Sequence, residues 1–145
     1  MTIRRMDHVG IVVDDLAAAI EFFLALGLEL QGEWSAEDQA VGRIIGLDGV
    51  RASVAMLQTP DGKAHVELSQ FHSPPHQGDN GHAPANAPGL RHITFEVEDL
   101  DAVLARLRPH GAELVGSLER FGGTYRLCYI RGPAGIIIEL AENAG

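Results

Sequence analysis

The chain says one thing twice. At an offset of 84 residues, the spacing from His8 to His92, the stretch Asp7–Leu30 lies on Arg91–Leu114 without a gap. His8 falls on His92, Val13 on Val97, Asp15 on Asp99, Leu16 on Leu100, Gly27 on Gly111 and Leu30 on Leu114. A repeat of this kind makes each copy one supersecondary unit. Neither copy is long enough to bury a sheet face alone, so the two are expected to pair.

Each copy opens on an alternating, β-branched segment, which predicts a strand over residues 6–13 and another over 90–97. In the first, Val9, Ile11 and Val13 share one face, and Met6, His8, Gly10 and Val12 share the other. Asp14 or Asp15 is placed to cap a helix, and Leu16, Ala19, Ile20, Phe23 and Leu24 give that helix an apolar stripe ending at Gly27. Strands are predicted over 29–35, 52–58 and 64–71, the last two joined through Thr59-Pro60-Asp61-Gly62, and residues 41–49 form a short helix or turn. The second copy supplies a helix over 100–109 and strands over 112–117, 125–130 and 135–141.

The result is an α+β chain of two βαβββ modules, about residues 6–71 and 90–142, forming one domain over 1–145. Residues 72–89 carry Pro74, Pro75, Pro84 and Pro88 with no periodicity and are read as a linker. His72, His76 and His82 lie in it and are expected to be solvated.

Composition narrows the function. The net charge of −9 and the scattered basic residues exclude a nucleic-acid partner. No apolar run approaches the roughly 20 residues needed to cross a bilayer, and the first residues lack a signal-peptide core. A cytoplasmic protein with no membrane partner is expected. Cys128, the sole cysteine, excludes an intrachain disulfide framework and is expected to be an inert strand thiol.

The module ends repeat as well. Val66-Glu67-Leu68 matches Ile138-Glu139-Leu140, each after a turn that contains Pro and Gly. A carboxylate between apolar strand neighbours costs several kcal/mol to bury unpartnered, and a metal ion removes that cost. A lone strand histidine or glutamate is commonly a packed or solvated residue. The return of both types at equivalent positions argues otherwise. His8, Glu67, His92 and Glu139 together suit one divalent ion such as Ni, Co, Zn, Mn or Fe, with positions left for a substrate. The lack of thiolate ligands argues against a closed structural zinc site.

Other residues fall on the same strand faces by alternation: His65 and Ser69 beside Glu67, Thr94 and Glu96 beyond His92. One of Tyr125 and Arg126, and one of Tyr129 and Arg131, is expected to face inward toward substrate. Arg43, Arg51 and Arg120 are candidates to hold an anionic group or are surface residues. Phe23 and Phe95 fit the core.

These motifs, the Asp7–Leu16 stretch, Val66-Glu67-Leu68, the Arg91–Val97 strand and the Arg131–Leu140 turn and strand, resemble the vicinal oxygen chelate superfamily, which comprises glyoxalases, bleomycin-resistance proteins and dioxygenases. The resemblance spans Met6–Glu142. It implies a curved, cup-like mixed sheet with the metal inside, a small-molecule substrate and a homodimer. The two-His, two-Glu set is similar to bacterial glyoxalase I. Methylmalonyl-CoA epimerase is similar too, with Gln at the position of Glu67 and a comparable long linker. Extradiol dioxygenases and fosfomycin-modifying thiol transferases use two His and one Glu, and antibiotic-sequestering members generally lack the ligands.

The implied function is a metal-dependent lyase or isomerase that abstracts a proton beside a metal-bound carbonyl, with Glu139 or Glu67 as the base. The alternatives are an Fe or Mn extradiol dioxygenase using His8, His92 and Glu139, and a binding protein for a natural product or antibiotic. Ala134 stands where many relatives carry an acidic residue, and no Arg and Asn set for glutathione can be matched.

Overall fold

The computed structural model describes residues 2–78 and 81–145. The chain divides into two compact units, Met1–Gly78 and Asp79–Gly145.

In the first unit the elements run β1 (Val9–Val12), α1 (Leu16–Leu26), β2 (Glu29–Ala36), α2 (Gln39–Ile45), β3 (Arg51–Gln58) and β4 (His65–Ser73). The sheet order is β1-β4-β3-β2. β1 lies parallel to β4, and the other neighbours are antiparallel. Asp15 is the residue that caps α1, accepting the Ala18 N–H at 3.0 Å, and Gly27 closes it with φ +124. Helix α1 buries Leu16, Ala19, Ile20, Phe22, Phe23 and Leu26 against β3 and β4. On the sheet side this core takes Ile11, Ala55, Leu57, Val66 and Leu68.

The second unit repeats the plan: β5 (His92–Val97), α3 (Leu100–Leu107), β6 (Glu113–Leu114), β7 (Glu119–Phe121), β8 (Tyr125–Arg131) and β9 (Ile137–Asn143). Its order is β5-β9-β8-β6, with β7 paired to β8 and β5 parallel to β9. Asp99 caps α3 through the Ala102 N–H at 3.1 Å, as Asp15 caps α1. Leu100, Val103, Leu104 and Leu107 are buried beside Cys128, Ile130, Ile138 and Leu140. Each unit therefore keeps a βαβββ plan, with α2 added in the first and β7 in the second, and a helix on one face of a mixed sheet; the chain is α+β. Among the described residues no helix is long and apolar enough to cross a membrane.

Several boundaries differ from the sequence expectation. β1 starts at Val9 rather than Met6, because its ladder with β4 opens at Val9↔Val66. Residues 41–49 contribute to a true helix, α2, capped by Asp38 through the Ala40 N–H. Helix α3 ends at Leu107 and tightens into a 3-10 turn over Arg108–His110, since Pro109 cannot continue the hydrogen-bond ladder. The strand predicted over 112–117 is only Glu113–Leu114, and β7 was not anticipated at all. Its signal is Gly122-Gly123, both at positive φ (+64 and +83), which turn the chain back into β8.

The linker is more ordered than its composition suggests. β4 extends through His72 and Ser73, with His72 Nε2 2.8 Å from Ser53 Oγ and Ser73 Oγ bonded to the Gly49 carbonyl at 2.6 Å. Farther on, Arg131 donates to the Ala83 carbonyl at 3.0 Å, and Arg91 to those of Ala87 and Pro88 at 3.0 and 3.1 Å. The His82 ring packs where a Cβ on Gly135 would sit, 2.6 Å from Nδ1, and Gly135 has φ +74, so this one position of the turn favours glycine. Residues 79 and 80 of the linker lie outside the described residues.

Candidate metal centre

The parallel ladders position the site residues. Across β1 and β4, Gly10 faces Glu67. Across β5 and β9, Thr94 faces Glu139. In each unit the histidine stands two residues before that facing position. Side chains two apart on a strand share a face, so the imidazole and the carboxylate become diagonal neighbours on the sheet face opposite the helix. His8 Nε2 lies 3.6 Å from Glu67 Oε2, and His92 Nε2 lies 3.6 Å from Glu139 Oε1.

Within each pair the spacing is close to that of two donors on one cation. Two donors each about 2.1 Å from one ion stand about 3.0 Å apart at a right angle and about 3.4 Å apart at a tetrahedral angle. A 3.6 Å pair needs only a small inward adjustment to bind. All four side chains are partly open to solvent, from 19% for Glu139 to 37% for His92, which leaves an ion and a substrate access. Among the described residues no three His, Cys, Asp or Glu side chains converge as a metal-holding group. Each unit holds one His–Glu pair.

The two halves are supported differently. His8 Nδ1 is 2.8 Å from Asp7 Oδ2, and Arg5 donates to Asp7 Oδ1 at 2.8 Å. A carboxylate only accepts, so Nδ1 carries a proton and Nε2 is the nitrogen that faces Glu67. The hydrogen bonds from His8 and then Arg5 hold the Asp7 carboxyl below its ordinary range. His92 has Arg91 where His8 has Asp7. Its ring packs instead against Tyr129, at 5.1 Å between centroids and tilted by 39°. Thr94 Oγ1 donates to Glu139 Oε1 at 2.8 Å.

The other sequence candidates separate cleanly. Tyr129 is opposite Glu139 in the β8–β9 register and belongs to the site face. Tyr129 and Arg131 lie two apart on one strand and so share that face, which corrects the expectation that only one of them would. Arg131 is nevertheless committed to the Gly135 and Ala83 carbonyls. Arg126 is on the helix side, bonded to Asp101 at 3.1 Å and Glu142 at 3.3 Å, while Tyr125 lies on the site side at the far end of β8. His65 and Ser69 flank Glu67 in β4, and Glu96 lies exposed near the end of β5. Arg51 lies 4.0 Å from Glu37 in a surface pair. One support went unread in the sequence, Asp7, whose signal is its place directly before His8; Thr94 falls on the site face by alternation, but its bond to Glu139 is fixed only by the β5–β9 register.

Residues 5–140 match the Glyoxalase/Bleomycin resistance protein/Dioxygenase superfamily. The chain belongs to this superfamily. Its fold superposes with a TM-score of 0.95 on the crystal structure of a glyoxalase family protein from Bacillus cereus, 47% identical, over 100% of this chain and 97% of that one. It is 32% identical over 118 residues to the ethylmalonyl-CoA/methylmalonyl-CoA epimerase of Cereibacter sphaeroides, covering 81% of this chain and 78% of the epimerase. The trypanothione-dependent glyoxalase I of Leishmania major shares the fold, with a TM-score of 0.65 at 22% identity over 97% of this chain and 87% of that one.

Proposed function

We propose that the two modules act as one domain in which His8, Glu67, His92 and Glu139 hold a single divalent ion, of Ni, Co, Zn, Mn or Fe type, and that the protein is a metal-dependent lyase or isomerase. The observation that carries this reading is the duplicated pair: imidazole and carboxylate 3.6 Å apart in each module, on equivalent strands. Two nitrogen and two oxygen donors match the preferences of borderline divalent ions. When bound, the ion supplies a Lewis acid that steadies a substrate carbonyl as charge builds on its oxygen. The residues do the rest. Asp7 keeps the His8 Nε2 lone pair available, Tyr129 steadies the His92 ring, and Glu67 or Glu139 takes a proton from the carbon beside the carbonyl.

Similarity to the epimerase supports a proton transfer next to a thioester carbonyl, and Glu67 favours this class over a dioxygenase that needs only His8, His92 and Glu139. A small oxygenated or thioester substrate is the partner, and a cytoplasmic homodimer is the assembly.

The test is deuterium incorporation. The metal-loaded protein in D₂O is offered a hemithioacetal or a malonyl-type thioester. Exchange at the acidic carbon supports the reading. Oxygen uptake with a catechol, without exchange, contradicts it.

A further inference from the structure

The two carboxylates are not equivalent, and the difference is built into the strand facing each. Thr94 faces Glu139 and donates its hydroxyl to Oε1 at 2.8 Å. Gly10 occupies the corresponding position opposite Glu67 and has no side chain to offer. The second neighbours differ in the same sense. Tyr129 is opposite Glu139 on β8, whereas Met56 is opposite Glu67 on β3. Among the described residues Glu67 has no hydrogen-bond donor, and its near polar neighbour is His8 Nε2 at 3.6 Å. Glu67 is also the more open of the two, 28% against 19% for the side chain.

A carboxylate fixed by a charge-assisted hydrogen bond loses little further freedom on binding an ion. One without such a bond must be ordered by the ion itself and is the easier to displace. An oxygen of Glu139 has two acceptor sites, so the Thr94 bond leaves one for a cation. We propose that Thr94 is a positioning residue that makes Glu139 the fixed carboxylate of the site, and that Gly10 leaves Glu67 as the exchangeable one. The inference rests on the shared-ion reading above.

The space for a reciprocal change exists, because a Cβ at Gly10 meets nothing within 4 Å and Gly10 has an ordinary strand backbone. Thr94→Val keeps the shape and β-branching but removes the donor. Gly10→Thr builds the missing hydroxyl opposite Glu67. Each is made in the full chain, stripped of metal and titrated with Co²⁺, read by calorimetry and by the visible absorption of the bound ion. Thr94→Val is expected to weaken Co²⁺ binding about tenfold and to shift the absorption bands, in line with the loss of a hydrogen bond to a charged group. Thr94→Ser is expected to restore both, and Gly10→Thr to tighten binding about fivefold.

Co²⁺ binding by Thr94→Val with the parent's affinity and spectrum overturns the inference and leaves the function reading intact. A parent that binds no Co²⁺ overturns both.

Discussion

The buried carboxylate of Glu142 accepts the backbone N–H of Leu100 at 2.8 Å, tying the end of β9 to the start of α3. Gln70 makes the same connection in the first unit, its Oε1 accepting the Leu16 N–H at 2.9 Å. Each lies three residues after the site glutamate, so this bond helps fix the strand that carries the carboxylate against the helix that follows the histidine. Glu142 also pairs with Arg126. Glu142→Gln retains the acceptor, as Gln70 does, and is expected to cost about 1 kcal/mol. Glu142→Leu strands the Leu100 N–H and leaves Arg126 paired with Asp101 alone, and is expected to cost about 3 kcal/mol. Urea denaturation of both variants checks the difference; equal losses would show that the cap contributes nothing.

The pair formed by Asp101 and Arg126 should make stability depend on pH. Hydrogen bonds from Arg126 hold the Asp101 carboxyl below its ordinary range. The folded value is thus the lower of the two, so its stabilising contribution is fully present above about pH 4 and is lost as pH falls through the folded value. The Tm difference between the parent and Asp101→Asn should be constant at neutral pH and close in acid. A gap that widens in acid would mean that the charge pair is not its source.

Cys128 is sealed beneath α3, 3% exposed, with burial pushing its thiol upward. A thiol of that kind is a poor nucleophile. In the native protein it should react with a disulfide reagent only as fast as the protein unfolds, and at once in guanidinium. Prompt stoichiometric labelling under native conditions would contradict the burial of Cys128.

Asp7 orients His8, so its loss should register in metal binding more than in stability. Partners of this type are worth 10- to 100-fold in affinity. Asp7→Asn is expected to weaken divalent-ion binding by about tenfold while the urea midpoint barely moves, since both groups are near the surface. Unaltered affinity would remove the Asp7–His8 bond from the account.

Much of this arrangement was legible in the chain. The repeat at His8 and His92 and the matched Glu67 and Glu139 rest on residue type and spacing, and the βαβββ order follows from apolar periodicity. What stayed hidden depends on register. No spacing rule says that Thr94 stands opposite Glu139, or that Tyr129 meets His92 while Arg126 turns to the helix. The first is set by the parallel β5–β9 ladder between strands far apart in sequence, the others by the antiparallel β8–β9 register. The β7 strand escaped because three residues carry too little periodicity to register. The fastened linker escaped because Arg131 holds it through backbone carbonyls, which any sequence would present.

The central claim is that one ion engages both His–Glu pairs, and metal analysis with equilibrium titration tests it most directly. The account predicts one divalent ion per chain, with affinity falling sharply in both Glu67→Gln and Glu139→Gln. A parent without metal, two independent ions per chain, or unchanged metal content in both variants would contradict it.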